Sequence, residues 1–162
     1  MADPFIRQAR GVFSALIGST AVVAGDAVYF DGTAWELADA DDETKFAEAF
    51  AVNSLIAGDT GNLCTSAIIV DTDAPFTQGN TFFLSATAGD LTATRPTGAN
   101  NLMQVLGFAL STTELKVEAR IPYEVHVSLS PLGDGAAAAV QNLDYTGFNL
   151  QATSEAVGYT CM

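Results

Sequence analysis

Histidine and positive charge are what this chain has least of. Among 162 residues there is one histidine, His126, with two cysteines and six lysines and arginines. A lone histidine cannot hold a metal without carboxylate partners at ligand spacing, and none stand at diagnostic spacing around His126. A Ser/His/Asp triad would have to use it, yet no GxSxG elbow surrounds any serine. His126 lies instead on the polar phase of the alternating stretch Tyr123 to Ser128, as a surface strand residue would. Cys64 and Cys161 match no CxxC pattern. Cys64 precedes the apolar run Ala67 to Val70, so a buried free thiol is expected, with a Cys64–Cys161 disulfide as the alternative. No GxGxxG or GxxxxGK[ST] phosphate loop exists. Gly58-Asp59-Thr60-Gly61 carries one Asp-Thr-Gly, but an aspartic protease needs two such carboxylates sharing a proton. A turn is expected there. Asp39, Asp41, Asp42 and Glu43 form an acidic cluster without the glycine and distal glutamate of an EF-hand loop, which points to a solvated loop. No catalytic, cofactor-binding or metal-binding residue is expected, and no enzyme.

Scarce positive charge also bounds the partners. Six basic residues face 19 acidic ones, a net charge of −13. Such a body repels phosphate backbones, and no Lys/Arg-rich block offsets it, so nucleic acid is excluded. What the chain has in plenty is small and apolar. At 49% hydrophobic and 15% charged, it is too apolar for a disordered chain and long enough for one domain with a real core.

Arg7 and Arg10 precede the uncharged stretch Gly11 to Ala24, which has some look of a secretory signal. Gly18-Ser19-Thr20 interrupts it, Asp3 sits where the basic region would be, and the stretch is too short to span a bilayer. Neither a targeting nor a membrane segment is expected. Residues 1–21 are expected to form an N-terminal arm, either tied to a neighbouring subunit or packed on its own domain. Residues 22–129 are expected to form a β-rich domain, and 130–162 a C-terminal arm or extension.

Within 22–129, short aromatic or β-branched runs alternate with Gly, Pro, Asn and Asp clusters, the pattern of strands and tight turns. Val28-Tyr29-Phe30, Asp31-Gly32 and Trp35-Glu36-Leu37 predict a hairpin. Asp42 or Thr44 could cap a short helical turn through Phe46. Leu63 to Val70 predicts one strand, as does the alternation of Leu115, Val117, Ala119 and Ile121. Gly79 to Leu110 predicts a small unit of strands around the turns Thr77-Gln78-Gly79-Asn80 and Ala88-Gly89-Asp90. Gly25 to Leu37 echoes Gly79 to Leu91 at a constant offset of 54 residues. Phe50-Ala51-Val52 is echoed by Phe108-Ala109-Leu110, so an internal duplication is expected. The fold class that follows is mainly β: a compact barrel-like or sandwich-like domain of short hairpins, internally duplicated, with extended N- and C-terminal arms.

The stretch from Gly79 also carries a family likeness. Gly79, Phe83, Leu84, Ser85, Ala88, Gly89, Leu91, Thr92, Pro96, Thr97 and Gly98, followed by Val105, Gly107 and Ala109, resemble the head decoration (capsid cement) proteins of tailed bacteriophages. Gly25 to Tyr29 and Trp35 fit the same pattern, which covers roughly Val22 to Ile121. The resemblance implies a mostly β protein present in many copies on the outer surface of the virion. It implies binding to the major capsid protein and association with itself, as trimers or dimers. Under that reading Phe5, Ile6, Arg7, Arg10 and Phe13 are the expected contacts with capsid or neighbour. The alternative reading is a tail-associated or fibre-associated receptor-binding module.

Overall fold

A computed structural model describes residues 4–73, 76–97 and 101–119, together with the backbone of 144–145 and 148–149. The chain divides into Met1–Pro122 and Tyr123–Met162. Every regular element among the described residues is a strand. Two antiparallel sheets make up the first part, and the strands are short because a turn residue interrupts each apolar run within a few positions.

The five-stranded sheet contains β2 (Phe13–Leu16), β3 (Ala27–Phe30), β4 (Trp35–Leu37), β5 (Ala49–Ala51) and β6 (Thr60–Cys64). Their order is β2-β6-β5-β3-β4. The six-stranded sheet contains β1 (Phe5–Arg10), β7 (Ser66–Val70), β8 (Thr81–Leu84), β9 (Leu91–Thr92), β10 (Val105–Ala109) and β11 (Glu114–Glu118). It runs β1-β7-β11-β10-β8-β9. In the second part, β12 (Asp144–Tyr145) pairs antiparallel with β13 (Phe148–Asn149).

Set β1 aside and the two sheets share one wiring diagram, β7 to β11 repeating the order of β2 to β6. Registers repeat as well. Phe13 pairs with Leu63 and Ala67 with Val117, both members of the second pair lying 54 residues on from those of the first. The turns repeat in detail. Asp26 N–H donates to the Val23 carbonyl and Asn80 N–H to the Thr77 carbonyl, both at 3.1 Å. Gly25 and Gly79 sit between those ends with φ of 96° and 84°. This is the third position of a type II turn, which a side chain would strain. Gly25 N–H then donates to the Ala51 carbonyl and Gly79 N–H to the Ala109 carbonyl.

The sheets pack face to face. One core cluster takes Ala27, Phe50 and Cys64 from the five-stranded sheet, with Ile69, Phe82, Leu84, Leu106, Leu115 and Val117 from the other. A second cluster, with Ile17, Val22, Val28, Ala49, Ala51 and Leu63, fills the opposite face of the five-stranded sheet. That sheet curls over it until Gly18 N–H reaches the Trp35 carbonyl, where an isolated bridge pairs Ile17 with Trp35. One bridge joins the sheet's first and last strands without a closed ladder.

The seam between the repeats is tied by main chain. Ala27 N–H donates to the Gly89 carbonyl, Gly89 N–H to Ala38 and Ala40 N–H to Ser85. Gln104, almost fully buried, completes the tie. Its Oε1 accepts from Ala47 N–H at 2.7 Å and its Nε2 donates to the Ala47 carbonyl at 2.8 Å. The side-chain amide stands in for a neighbouring strand.

Two expectations change here, and one of the two settings open to residues 1–21 is found for 5–16. Residues 5–16 pair with their own chain: Phe5 lies opposite Val70, Arg10 opposite Ser66, Phe13 opposite Leu63 and Leu16 opposite Thr60. This is one ribbon that begins in the six-stranded sheet and ends in the five-stranded one. For the same reason Leu63 to Val70 is not one strand, since it breaks at Thr65 where the ribbon changes sheet. Thr65 N–H donates to the Arg10 carbonyl at that corner. Strands that switch sheets make such corners in sandwiches. Finally, 38–48 holds no helix. The Asp42 carboxylate accepts from both the Thr44 N–H and the Thr44 hydroxyl, closing an Asx turn. The expected strand at Tyr123 to Leu129, His126, Cys161 and most of the C-terminal extension lie outside the described residues.

Candidate interaction surface

Among the described residues no group of three or more His, Cys, Asp or Glu side chains could hold a metal ion. Nor is any helix of the described residues long and apolar enough to cross a membrane. Asp59, of the Asp-Thr-Gly sequence, is exposed on the turn Ile56 to Asp59, closed by Asp59 N–H donating to the Ile56 carbonyl. Cys64 is a buried free thiol. Burial pushes it up to about 11, against the partial relief of a hydrogen bond from the Ser66 main chain.

Titration behaviour stands out at two carboxylates. Burial pushes Asp26 up to about 6, Val23 N–H pulls it down and the charge of Asp90 adds to the rise. Asp26 lies at the seam, where a side chain at Gly89 would collide with it and Leu37. Asp42 is held down to about 2 by the Thr44 hydroxyl and N–H and by Lys45. The Asp42 interactions are local to its turn, whereas Asp26 responds to its burial and to Asp90 of the second repeat.

The exposed strands and sheet faces carry the expected contact residues. The expected contact residues divide among three settings. Phe5, Arg7 and Arg10 are exposed on β1, at the free edge of the six-stranded sheet. A register shift between Ile6 and Gln8 leaves Arg7 as the extra residue of a bulge. Its guanidinium reaches across β7 to pair with Glu114 on β11. Ile6 turns inward and packs on the main core. Phe13 belongs to the other sheet, where its ring meets Trp35 at 5.3 Å, with Phe30 5.6 Å beyond. The predicted hairpin places Phe30 opposite Trp35, but Phe13 joins them only because the sheet curls and brings its first strand to its last.

Beside β1, the outer face of the six-stranded sheet combines cations with apolar area. Arg10, Ser66 and Glu118 stand in one cross-strand row, and Gln8, Ile68, Lys116 and Phe108 in the next. Lys116 lies over the Phe108 ring, its ammonium 5.9 Å from the centroid. The corresponding face of the first repeat is not a surface at all. Phe50, the counterpart of Phe108, is 0% exposed against the other sheet, whereas Phe108 is 46% exposed. The same side of the same unit is an interface once and bare once.

No protein-family model matches this chain, and neither a curated protein nor a solved structure matches it.

Proposed function

We propose that this chain is a structural protein of a tailed-phage virion that binds the outer surface of the capsid and stabilises the assembled head. The supporting observation is where the residues of the family resemblance fall. Gly79 and Gly89 occupy positive-φ turn positions. Leu84 and Ala109 are buried in the sandwich core. At Gly107 any side chain would run into the Lys116 backbone on β11. The shared pattern thus specifies one hairpin-plus-strand unit, and this chain builds that unit twice.

Such a protein acts by mechanics. Each copy bridges capsid subunits through several modest contacts, and contacts on one rigid body multiply rather than add. An interface of about 1,600 Å² per partner pair is the usual scale for a stable contact. The exposed Phe5 and Arg7 on the β1 edge supply an apolar anchor and a cation to meet capsid carboxylates. Arg10 extends the same strand.

Binding of the purified protein to isolated shells tests the reading. The variant Phe5→Ser with Arg7→Gln should bind at least tenfold more weakly, with at most a slight fall in its thermal melt from the lost Arg7–Glu114 pair. Unchanged binding would remove β1 as the contact. Counting copies in virions tests the function itself: a simple fraction of the major shell protein supports decoration, a few per cent supports the tail or fibre reading, and absence rejects both.

A further inference from the structure

Among the described residues, two patches of apolar side chains have charged surroundings that differ in sign. One is the outer face just described, with Ile68 and Phe108 beside Arg10 and Lys116. Three cations (Arg7, Arg10 and Lys116) share that side with Glu114 and Glu118. The other patch lies at one end of the first repeat. Val22 and Leu55 exchange both main-chain hydrogen bonds, Ile17 N–H donates to the Asp59 carbonyl, and Gly58 N–H donates to the carbonyls of Ile17 and Gly18. These bonds gather Leu16, Val23 and Ile56, all exposed, around the exposed Asp59. Ile56, at 68%, is the most exposed of the large apolar residues described. Asp26, which accepts from Val23 N–H, and Glu36, which accepts from Ser19 N–H, stand at the same end, and the one cation between Gly11 and Thr65 is Lys45, which pairs with Asp42.

Apolar patches of this kind mark contact sites when they are grouped and rimmed by charge. We infer that the two patches are the halves of one heterologous interface, in which the Leu16/Val23/Ile56 end of one copy docks on the Ile68/Phe108/Lys116 face of a second copy. Charge selects that arrangement. A chain of net −13 repels itself, and two acidic ends brought together would add local repulsion. The cationic face against the acidic end is the pairing that long-range attraction favours. Because the two surfaces differ, each copy keeps one of each free, and the association closes into a ring or runs on as a chain. This self-association does not depend on the capsid reading, since it needs no shell.

Sedimentation velocity of the full chain without capsids tests it. At about 0.05 M salt the protein should associate with rising concentration, and about 0.5 M salt should weaken this severalfold by screening the charges. One variant, Phe108→Ser with Lys116→Glu, lacks the face. Another, Val23→Ser with Ile56→Ser, lacks the end. Each alone should stay monomeric with an unchanged melting curve, all four side chains being exposed. Mixed in equal amounts, the two should recover a dimer that grows no further, since each still carries the half that the other has lost. A wild-type protein that stays monomeric at every concentration would overturn the proposal. So would variants that associate like wild type, or a mixture that does not pair.

Discussion

Asp26 is a residue whose fold works against it at neutral pH. Its carboxyl sits at about 6 in the folded protein against an ordinary 3.8, chiefly because burial penalises the charge. Between those values the native state holds the extra proton. The stabilisation this gives is complete below pH 3.8 and is lost as the pH rises through 6. The second repeat has already replaced the acid: Asn80 occupies the equivalent place in the equivalent turn. Asp26→Asn should therefore raise stability at pH 7.5 by about 1–2 kcal/mol in urea titrations and leave it unchanged near pH 4. Equal gains at both pH values would show that the charge is not the cause. Gly107 and Cys64 are single-residue constraints of another kind. Gly107→Ala forces β10 away from the Lys116 carbonyl, which should cost about 1–3 kcal/mol in the same titrations. In a Cys161→Ser background Cys64, buried and with its thiol pushed up to about 11, should react with a thiol reagent only as the protein unfolds.

At the scale of elements, most strands were legible and their partners were not. Val28 to Phe30, Trp35 to Leu37 and Phe82 to Leu84 announce themselves by side-chain type and by the glycines that end them. The alternation Leu115-Lys116-Val117-Glu118 even reveals which face is wet, and the structure has Leu115 and Val117 buried. Nothing at Thr65 distinguishes a strand residue from a corner, because its hydrogen-bond partner there, Arg10, is 55 positions away. Gln104 was equally silent, being one polar residue in an apolar run whose partner, Ala47, is 57 positions away. Gln104→Leu would strand both main-chain groups of Ala47 in the core, so a loss of about 2–4 kcal/mol is expected in thermal or urea melts. Of the five expected contact residues, Phe5, Arg7 and Arg10 are exposed on one strand, Ile6 packs inward and Phe13 lies in the other sheet, while the Phe108 face emerges only once it is known which strand lies beside which.

For the whole molecule the uneven distribution of charge matters more than its total. The first repeat is strongly acidic, while β1 and the second repeat together carry Arg7, Arg10, Arg95 and Lys116 against five carboxylates. Such a body orients as it approaches a charged partner, so under the proposed capsid reading on-rates for shell binding should fall with salt more steeply than off-rates rise.

The ribbon formed by residues 5–16 and 60–70 gives the body a direction of strength. A pull along residues 5–16 strains the bonds to β7 and β6 together, in shear. A pull across the ribbon opens them one after another. A partner that holds β1 along its length would therefore meet the stiff axis of this protein. The same grip turned through a right angle would peel the first strand away and leave both sheets without their shared edge.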